Sequence, residues 1–310
     1  MTNGDLLTEA RKRRRKRIRG DAMSYTADGV IYGIVATLCF LCVAPFLYVI
    51  SMSLSGAEHV LARSVFFYPK GFSVEAYLKL FQTQMIWRSY ANTIFYVICN
   101  TLVNITTAMV GGYFFSKKNL FGRKFFTVFI LIPMYFGGGL IPSFVLVAKL
   151  GLYNSPLALI IPSAVSIWNM VLCRTFIRTI PDSLTEAATI DGAGERVMLT
   201  RILVPLCKPI IAVIGLYAAV GTWNSWFNAL LYLPDKNWQP VQLFLARILV
   251  LETKLLDKEA GSTGMRIQGI ATSLQLKYAA VMFTTLPILC SYPFLQKYFI
   301  KGIMLGSLKE

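Results

Sequence analysis

Six stretches of the chain contain no Asp, Glu, Lys, Arg or His: 29–57, 89–116, 125–148, 150–173, 209–234 and 278–296. Crossing the hydrocarbon core of a bilayer takes roughly 20 apolar residues at about 1.5 Å each, and every run is about that long or longer. The apolar positions are continuous rather than alternating, a helical pattern, and lipid accepts only helices or closed barrels as spanning elements. The pattern predicts an all-α, polytopic membrane protein with helices at about 29–54, 89–116, 125–148, 152–178, 205–232 and 276–300. A single transmembrane domain, 29–300, then sits between a tail at 1–28 and a short tail at 301–310.

The polar residues between the runs orient the chain. Segments 1–28, 117–124, 174–208 and 297–310 share 20 Lys and Arg, whereas 58–88, Lys149 and 235–277 share 11. Basic residues accumulate on the cytoplasmic side, so both termini are expected inside. The run Arg11-Lys12-Arg13-Arg14-Arg15-Lys16-Arg17 beside the first helix reads as a topology anchor touching anionic lipid headgroups rather than as a nucleic-acid patch. The net charge of +16 therefore implies membrane topology and no nucleic-acid partner. With 55% hydrophobic and only 15% charged residues, the chain falls well short of the charge of a soluble domain, about a quarter. The first run is too long for a signal-peptide core and lacks a small-residue cleavage site, so it is expected to remain as a signal anchor.

Little enzyme chemistry is possible. The six cysteines (Cys39, Cys42, Cys99, Cys173, Cys207, Cys290) lie in or beside the apolar runs and His59 is the only histidine. That inventory predicts no disulfide framework, no metal site and no catalytic residues. Within the third run, Pro133, Gly137-Gly138-Gly139 and Pro142 predict a kink or local unwinding. Residues 73–81 have helical spacing and are expected to lie at the membrane surface.

The segment 179–208 carries its own punctuation. Pro181 stops what precedes it, and Ser183 and Glu186 have the spacing of a capping box. Gly192 and Gly194 are expected to take left-handed conformations that end a helix at about 184–191 and reverse the chain. Leu184, Ala187, Ala188 and Ile190 would give it a small apolar contact surface. So short a helix is marginal alone and needs something to pack against.

Glu186-Ala187-Ala188, Gly192 three residues on, and Ile202-Leu203-Val204-Pro205 nine residues later resemble the signature of ABC importer inner-membrane permeases. The spacing fits throughout; the one departure is Val204 where Leu is usual. The resemblance implies that this is the coupling helix, Ser183, Glu186, Ala187, Ala188, Asp191 and Gly192 being its coupling residues toward an ATPase. It covers about 25–306 and looks closest to the second permease subunit of maltose-type carbohydrate importers, within them to permeases for complex oligosaccharides. The stretches that carry this are Met134-Tyr135-Phe136-Gly137-Gly138-Gly139-Leu140-Ile141-Pro142, Gly151-Leu152-Tyr153-Asn154 and Val220-Gly221-Thr222-Trp223-Asn224-Ser225-Trp226-Phe227-Asn228. It further implies a bacterial inner- or plasma-membrane location, a homologous second permease, two ATPase subunits that bind ATP and Mg, and an extracellular solute-binding protein. This chain itself has no Walker-type loop and needs no cofactor.

Two groups of residues are candidates for contact with cargo and partner. Trp223, Asn224, Trp226 and Asn228 have the aromatic and amide chemistry that sugars use, and equally the chemistry of helix packing and an aromatic belt. Asn92, Asn100, Asn104 and Asn169 fit interhelical hydrogen bonds at least as well as a substrate path. In the outward loop 235–277, Trp238, Gln239, Ser262 and Thr263 are candidate contacts for the binding protein; a surface amphipathic helix around 241–251 is the alternative. A secondary transporter for a small polar solute would normally hold Asp, Glu or His inside the membrane, and the six runs hold none. A membrane enzyme would need a nucleophile with a base, or a metal set, and the outward acids form no such motif.

Overall fold

The computed structural model describes residues 22–258 and 273–290. Helix α1 (Ala22–Ser53) is apolar all round, and its most hydrophobic stretch buries nothing against the rest of the chain. A helix without a polar face belongs in lipid or against another apolar surface. Its C-terminal end is anchored by serines. Ser55 Oγ donates to Ser51 O at 2.6 Å and accepts from Lys70 N at 3.0 Å, and Gln275 donates to Ser55 O at 2.7 Å. The surface segment expected at 73–81 is a helix, α2 (Glu75–Gln82), with Ala76 and Leu80 buried.

Helix α3 (Gln84–Ser116) is the axis of the fold. Its buried positions Ser89, Thr93, Tyr96, Asn100, Asn104, Ala108, Gly112 and Phe115 step by three or four residues, which lines them up on one face. That face packs against α6 (Ile167–Ile177) and α9 (Lys208–Trp223). Close approach depends on glycine: a Cβ on Gly112 would lie 2.8 Å from Cys173 Cβ.

Three of the expected continuous helices are broken. The third run forms α4 (Arg123–Tyr135) and α5 (Leu140–Lys149), bent by 110° across a break that ends at Gly139, φ +85°. Pro133 withholds a backbone donor and the glycines cost helix little to abandon, so the kink or local unwinding expected there is present as an unwound break at 136–139. The fourth run, expected as one helix over 152–178, is a short turn at Leu157–Ile160 followed by α6. Pro162 removes a donor between them, and Ser166 caps α6 by accepting from Asn169 N.

The fifth run, expected as 205–232, divides likewise. Helix α7 (Asp182–Ile190) is followed by α8 (Glu195–Leu206), which has a π-turn over Met198–Leu203. Cys207 and Pro209 then redirect the chain by 83° into α9, and Asn224–Trp226 separate α9 from α10 (Phe227–Tyr232). Helices α11 (Val241–Lys258) and α12 (Ser273–Cys290) complete the described chain, and the expected end of helix six at 291–300 lies outside it.

Among the described residues, three helices are long and apolar enough to cross a membrane alone, and up to five if each bent pair counts as one. The architecture is all-helical; the described residues hold one isolated β-bridge, Ser55 with Phe72. The largest apolar cluster joins Ala108 and Met109 of α3, Cys173 and Ile177 of α6, Ala188 of α7, Met198 and Leu203 of α8, and Ile214 of α9. It seats the short helix α7 on the helix bundle.

Candidate functional site

Helix α7 starts two residues earlier than the sequence indicates. Pro181 (φ −57°, ψ 131°) occupies the N-cap position without a side-chain cap, so the capping box expected from Ser183 and Glu186 does not form. Both residues lie inside the helix, where their side chains are exposed. The first turn is held instead by Asp182, whose carboxylate pairs with Lys118 beyond the end of α3. A negative charge in a first helical turn is favourable on its own account.

The other end matches the glycine argument at Gly192 and departs from it at Gly194. Gly192 has φ +82°, the N–H of Gly192 donates to Thr189 O at 3.0 Å and the N–H of Ala193 to Ala188 O at 2.9 Å. This paired pattern is a Schellman close, which occupies carbonyls the helix would otherwise leave bare. Gly194 is extended at φ −71°, ψ 166°, and serves as the N-cap of α8, its carbonyl accepting from Met198 N.

Between these ends, Ala188 alone on α7 is buried. Ser183, Glu186, Ala187, Asp191 and Gly192 all face outward, as does Leu184, and Ile190 is 85% exposed. Beyond α7 the chain is tied down again. Glu195 accepts from Tyr113 Oη at 2.6 Å and pairs with Lys117 at 2.6 Å. The hydrogen bond from Lys117, then the one from Tyr113, holds the Glu195 carboxyl below the usual carboxylate range. Between α3, α6 and α7 lies a cleft of about 1040 Å³, with Lys118, Arg123, Arg178, Glu186 and Ile190 on its walls.

A second cavity, about 370 Å³, opens among α3, α6, α9 and α10. Its walls form a ladder of amides and hydroxyls. Asn100 donates to Thr222 Oγ1 at 2.9 Å, Asn169 to Asn104 Oδ1 at 2.7 Å, and Asn104 to the Ser163 carbonyl at 3.0 Å. Asn92 lies apart and donates to the Asn237 carbonyl at 2.8 Å. The asparagines that the sequence leaves undecided therefore do bond between segments, and three of them also line a cavity.

The four candidates of the 223–228 run separate. Trp223 turns into the packing: its indole N–H donates to Thr284 O at 3.2 Å and its ring meets Tyr90 edge-on at 5.9 Å. Asn224 and Trp226 are exposed, and only Asn228 lines the cavity. Trp168, Ser163, Ser166 and Thr222 also line it and went unrecognised in the sequence. One signal was available: Thr93, Asn100 and Asn104 fall on one face of α3.

In the loop that the charge pattern assigns to the outer side, Trp238 is partly exposed, but Gln239 is only 3% exposed and donates to Leu233 O at 2.8 Å. The Gln239 amide is engaged in packing, held by a carbonyl that would otherwise be stranded in the interior. Ser262 and Thr263 lie outside the described residues. The helix at 241–251 exists as the start of α11, but it is more than a surface element: Val241 and Leu243 are buried, and Val241 N donates to Thr93 Oγ1 at 2.8 Å.

Comparison with known proteins places this geometry. The family described as "Binding-protein-dependent transport system inner membrane component" matches residues 104–304. The chain is 34% identical to the polygalacturonan/rhamnogalacturonan transport system permease protein YtcP of Bacillus subtilis, over 91% of this chain and 98% of that protein. It is 36% identical to protein LplC of the same organism, over 86% of this chain and 89% of that one. Among solved structures it matches a chain from a bacterial ABC transporter that imports the acidic polysaccharide alginate. The TM-score is 0.79 and the identity 29%, over 91% of this chain and 98% of the other.

Proposed function

Because this chain belongs to the family of binding-protein-dependent transport system inner membrane components, we propose that it moves oligosaccharides delivered by an extracellular solute-binding protein. It is a multi-pass membrane permease subunit of an ABC importer and not an enzyme; ATP hydrolysis belongs to a separate partner. In this reading a homologous second permease completes the path, and two ATPase subunits, which bind the ATP and Mg, dock on the cytoplasmic face.

The observation that carries the reading is α7. It is a two-turn helix whose outward surface combines Glu186, Ala187 and the exposed Leu184 and Ile190, while Ala188 seats it on the bundle. An isolated helix of this length would not persist in water, so both its seat and an outer partner have a physical reason to exist. Each charge-free run counts as one crossing, giving six, with both termini and α7 on the cytoplasmic side. The backbone breaks support a translocation path. Irregular backbone at membrane depth survives only against protein or a water-filled space, and two of the breaks supply Ser163, Ser166 and Ser225 to the polar cavity.

The test is co-purification with uptake, in wild type and in Gly192→Asp. A Cβ at Gly192 meets nothing within 4 Å, so the variant fits sterically, but φ +82° strains it and a charge is added to the outer surface of α7. The expected result is that wild type brings down an ATPase and a second permease, and that the variant retains its fold but loses uptake. A chain that purifies without an ATPase, or a variant with normal uptake, overturns the assignment.

A further inference from the structure

The cavity of about 370 Å³ falls at the lower end of the range of ligand pockets, roughly 300–1,000 Å³. It is built within this one subunit, from α3, α6 and the broken segment around α9 and α10. Its walls carry Asn100, Asn104, Asn169, Thr222, Ser225 and Asn228, groups that both donate and accept hydrogen bonds. Trp168, 53% exposed, adds an aromatic surface of the kind that packs against the C–H face of a sugar ring.

Asn100 gives a second, independent indication. It is 7% exposed, and one end of its amide is satisfied by Thr222 while the carbonyl oxygen has no partner. Turning the amide over exchanges which end is bare without removing the vacancy, because the Thr222 hydroxyl satisfies only one end. A buried polar atom left unpaired costs about 1–3 kcal/mol, and such atoms are few in folded proteins. A ligand hydroxyl, which can donate and accept at once, relieves either arrangement.

The walls carry no Lys, Arg, His, Asp or Glu. A carboxylate brought into this pocket would lose its hydration and find no cation, whereas a neutral hydroxyl exchanges water for amide and hydroxyl partners at little cost. Building on the importer reading above, we propose that this pocket is a saccharide subsite supplied by this subunit alone, and that it takes a neutral, hydroxyl-bearing ring rather than a uronate. The alginate importer carries an acidic polysaccharide; in an assembly built on this chain, a charged unit would have to be met by residues of the second permease.

The experiment uses the assembled importer in nanodiscs. The probes are neutral hexose trisaccharides of the gluco, galacto and manno series, each paired with its uronate counterpart. Trp168 fluorescence reports occupancy, with Trp168→Phe removing the signal, and uptake is followed in parallel. At least one neutral trisaccharide should change Trp168 fluorescence while its uronate counterpart does not. Asn100→Leu should weaken that response about tenfold, the scale of one hydrogen bond, and Asn228→Leu by a smaller factor. Asn228 is exposed, so its variant decides the question even where Asn100→Leu fails to assemble. A uronate response equal to the neutral one overturns the proposal. So does wild-type binding and uptake in both variants, which leaves the importer reading intact. An assembly that moves no saccharide overturns both.

Discussion

Lys117 and Glu195 form a 2.6 Å ion pair that joins the end of α3 to the start of α8. Lys118, the next residue, pairs with Asp182 at the start of α7. The two contacts bracket α7, so the end of one long helix grips the short helix in its first turn and again after its last. Tyr113 adds a third hold, its hydroxyl on Glu195 and its ring 4.9 Å beneath the Lys117 ammonium.

These pairs are exposed, and exposed pairs contribute at most about 1 kcal/mol. Their expected role is positional. Lys118→Met and Glu195→Gln should leave the thermal midpoint within a few degrees of wild type and still bring down the ATPase, yet lower uptake several-fold. Exchanging the charges of the Lys118–Asp182 pair should recover part of that uptake. Variants with unchanged transport would mean that α7 is positioned by Ala188 and its partner alone.

The Glu195 clamp should also have a defined pH response. Its carboxyl is held below the usual carboxylate range by Lys117 and Tyr113, so the contact stabilises the ionised form. A depressed carboxylate contributes stability that is complete above the ordinary carboxylate value and disappears as pH falls through the lower native one. Hydrogen exchange across 195–206 is therefore expected to stay constant, after correction for intrinsic rates, from neutral pH down to the ordinary carboxylate value. Protection should fall below that, and Glu195→Gln should abolish the transition. Loss of protection near neutral pH in the wild type would contradict the assignment to Glu195.

Helix spacing is set by two adjacent glycines that are not equivalent. The three atoms nearest a Cβ at Gly111 all belong to the side chain of Met170, the closest 2.5 Å away at its flexible end. A Cβ at Gly112 would meet Cys173 Cβ at 2.8 Å and the Arg174 backbone nitrogen at 3.0 Å, neither of which can swing aside. Gly112→Ala should therefore destabilise by about 1–3 kcal/mol, the ordinary cost of overpacking, and Gly111→Ala by less. Thermal unfolding in detergent orders the two, and the reverse order would show that α3 and α6 are free to slide.

Much of this was legible in the chain itself, for identifiable reasons. Charge-free runs locate the apolar segments because lipid excludes charge, and Gly192 is readable because a left-handed residue after a short helix has few substitutes. The breaks were harder to read. Pro162 and the Asn224–Trp226 interruption lie within unbroken apolar runs, so hydropathy alone joins what the backbone divides. The α7 cap was misplaced because Ser183 and Glu186 have the right spacing, while Pro181 sets the start of the helix and a distant Lys118 supplies the partner. The polar cavity was only half visible: Asn100 and Asn104 show a stripe on α3, but Trp168, Ser163 and Thr222 come from segments that only the fold brings to it.

Two tryptophans three residues apart offer the last test, because their surroundings differ sharply. Trp223 is 9% exposed, donates to the Thr284 carbonyl and meets Tyr90 edge-on, linking α9 to α12 and to α3. Trp226 is 44% exposed and touches Phe227 at 5.7 Å on the same short stretch. Removing a buried aromatic costs about 3–5 kcal/mol, since the cavity stays open and the hydrogen bond to the Thr284 carbonyl is lost. Trp223→Ala should therefore lower the unfolding temperature strongly and lose transport along with fold, with Trp223→Phe recovering part of both. Trp226→Ala should leave stability nearly unchanged. Should Trp226→Ala nonetheless abolish uptake in a folded assembly, its exposed ring contacts cargo or a second permease. Should Trp223→Ala remain stable, the packing drawn between α9 and α12 is wrong.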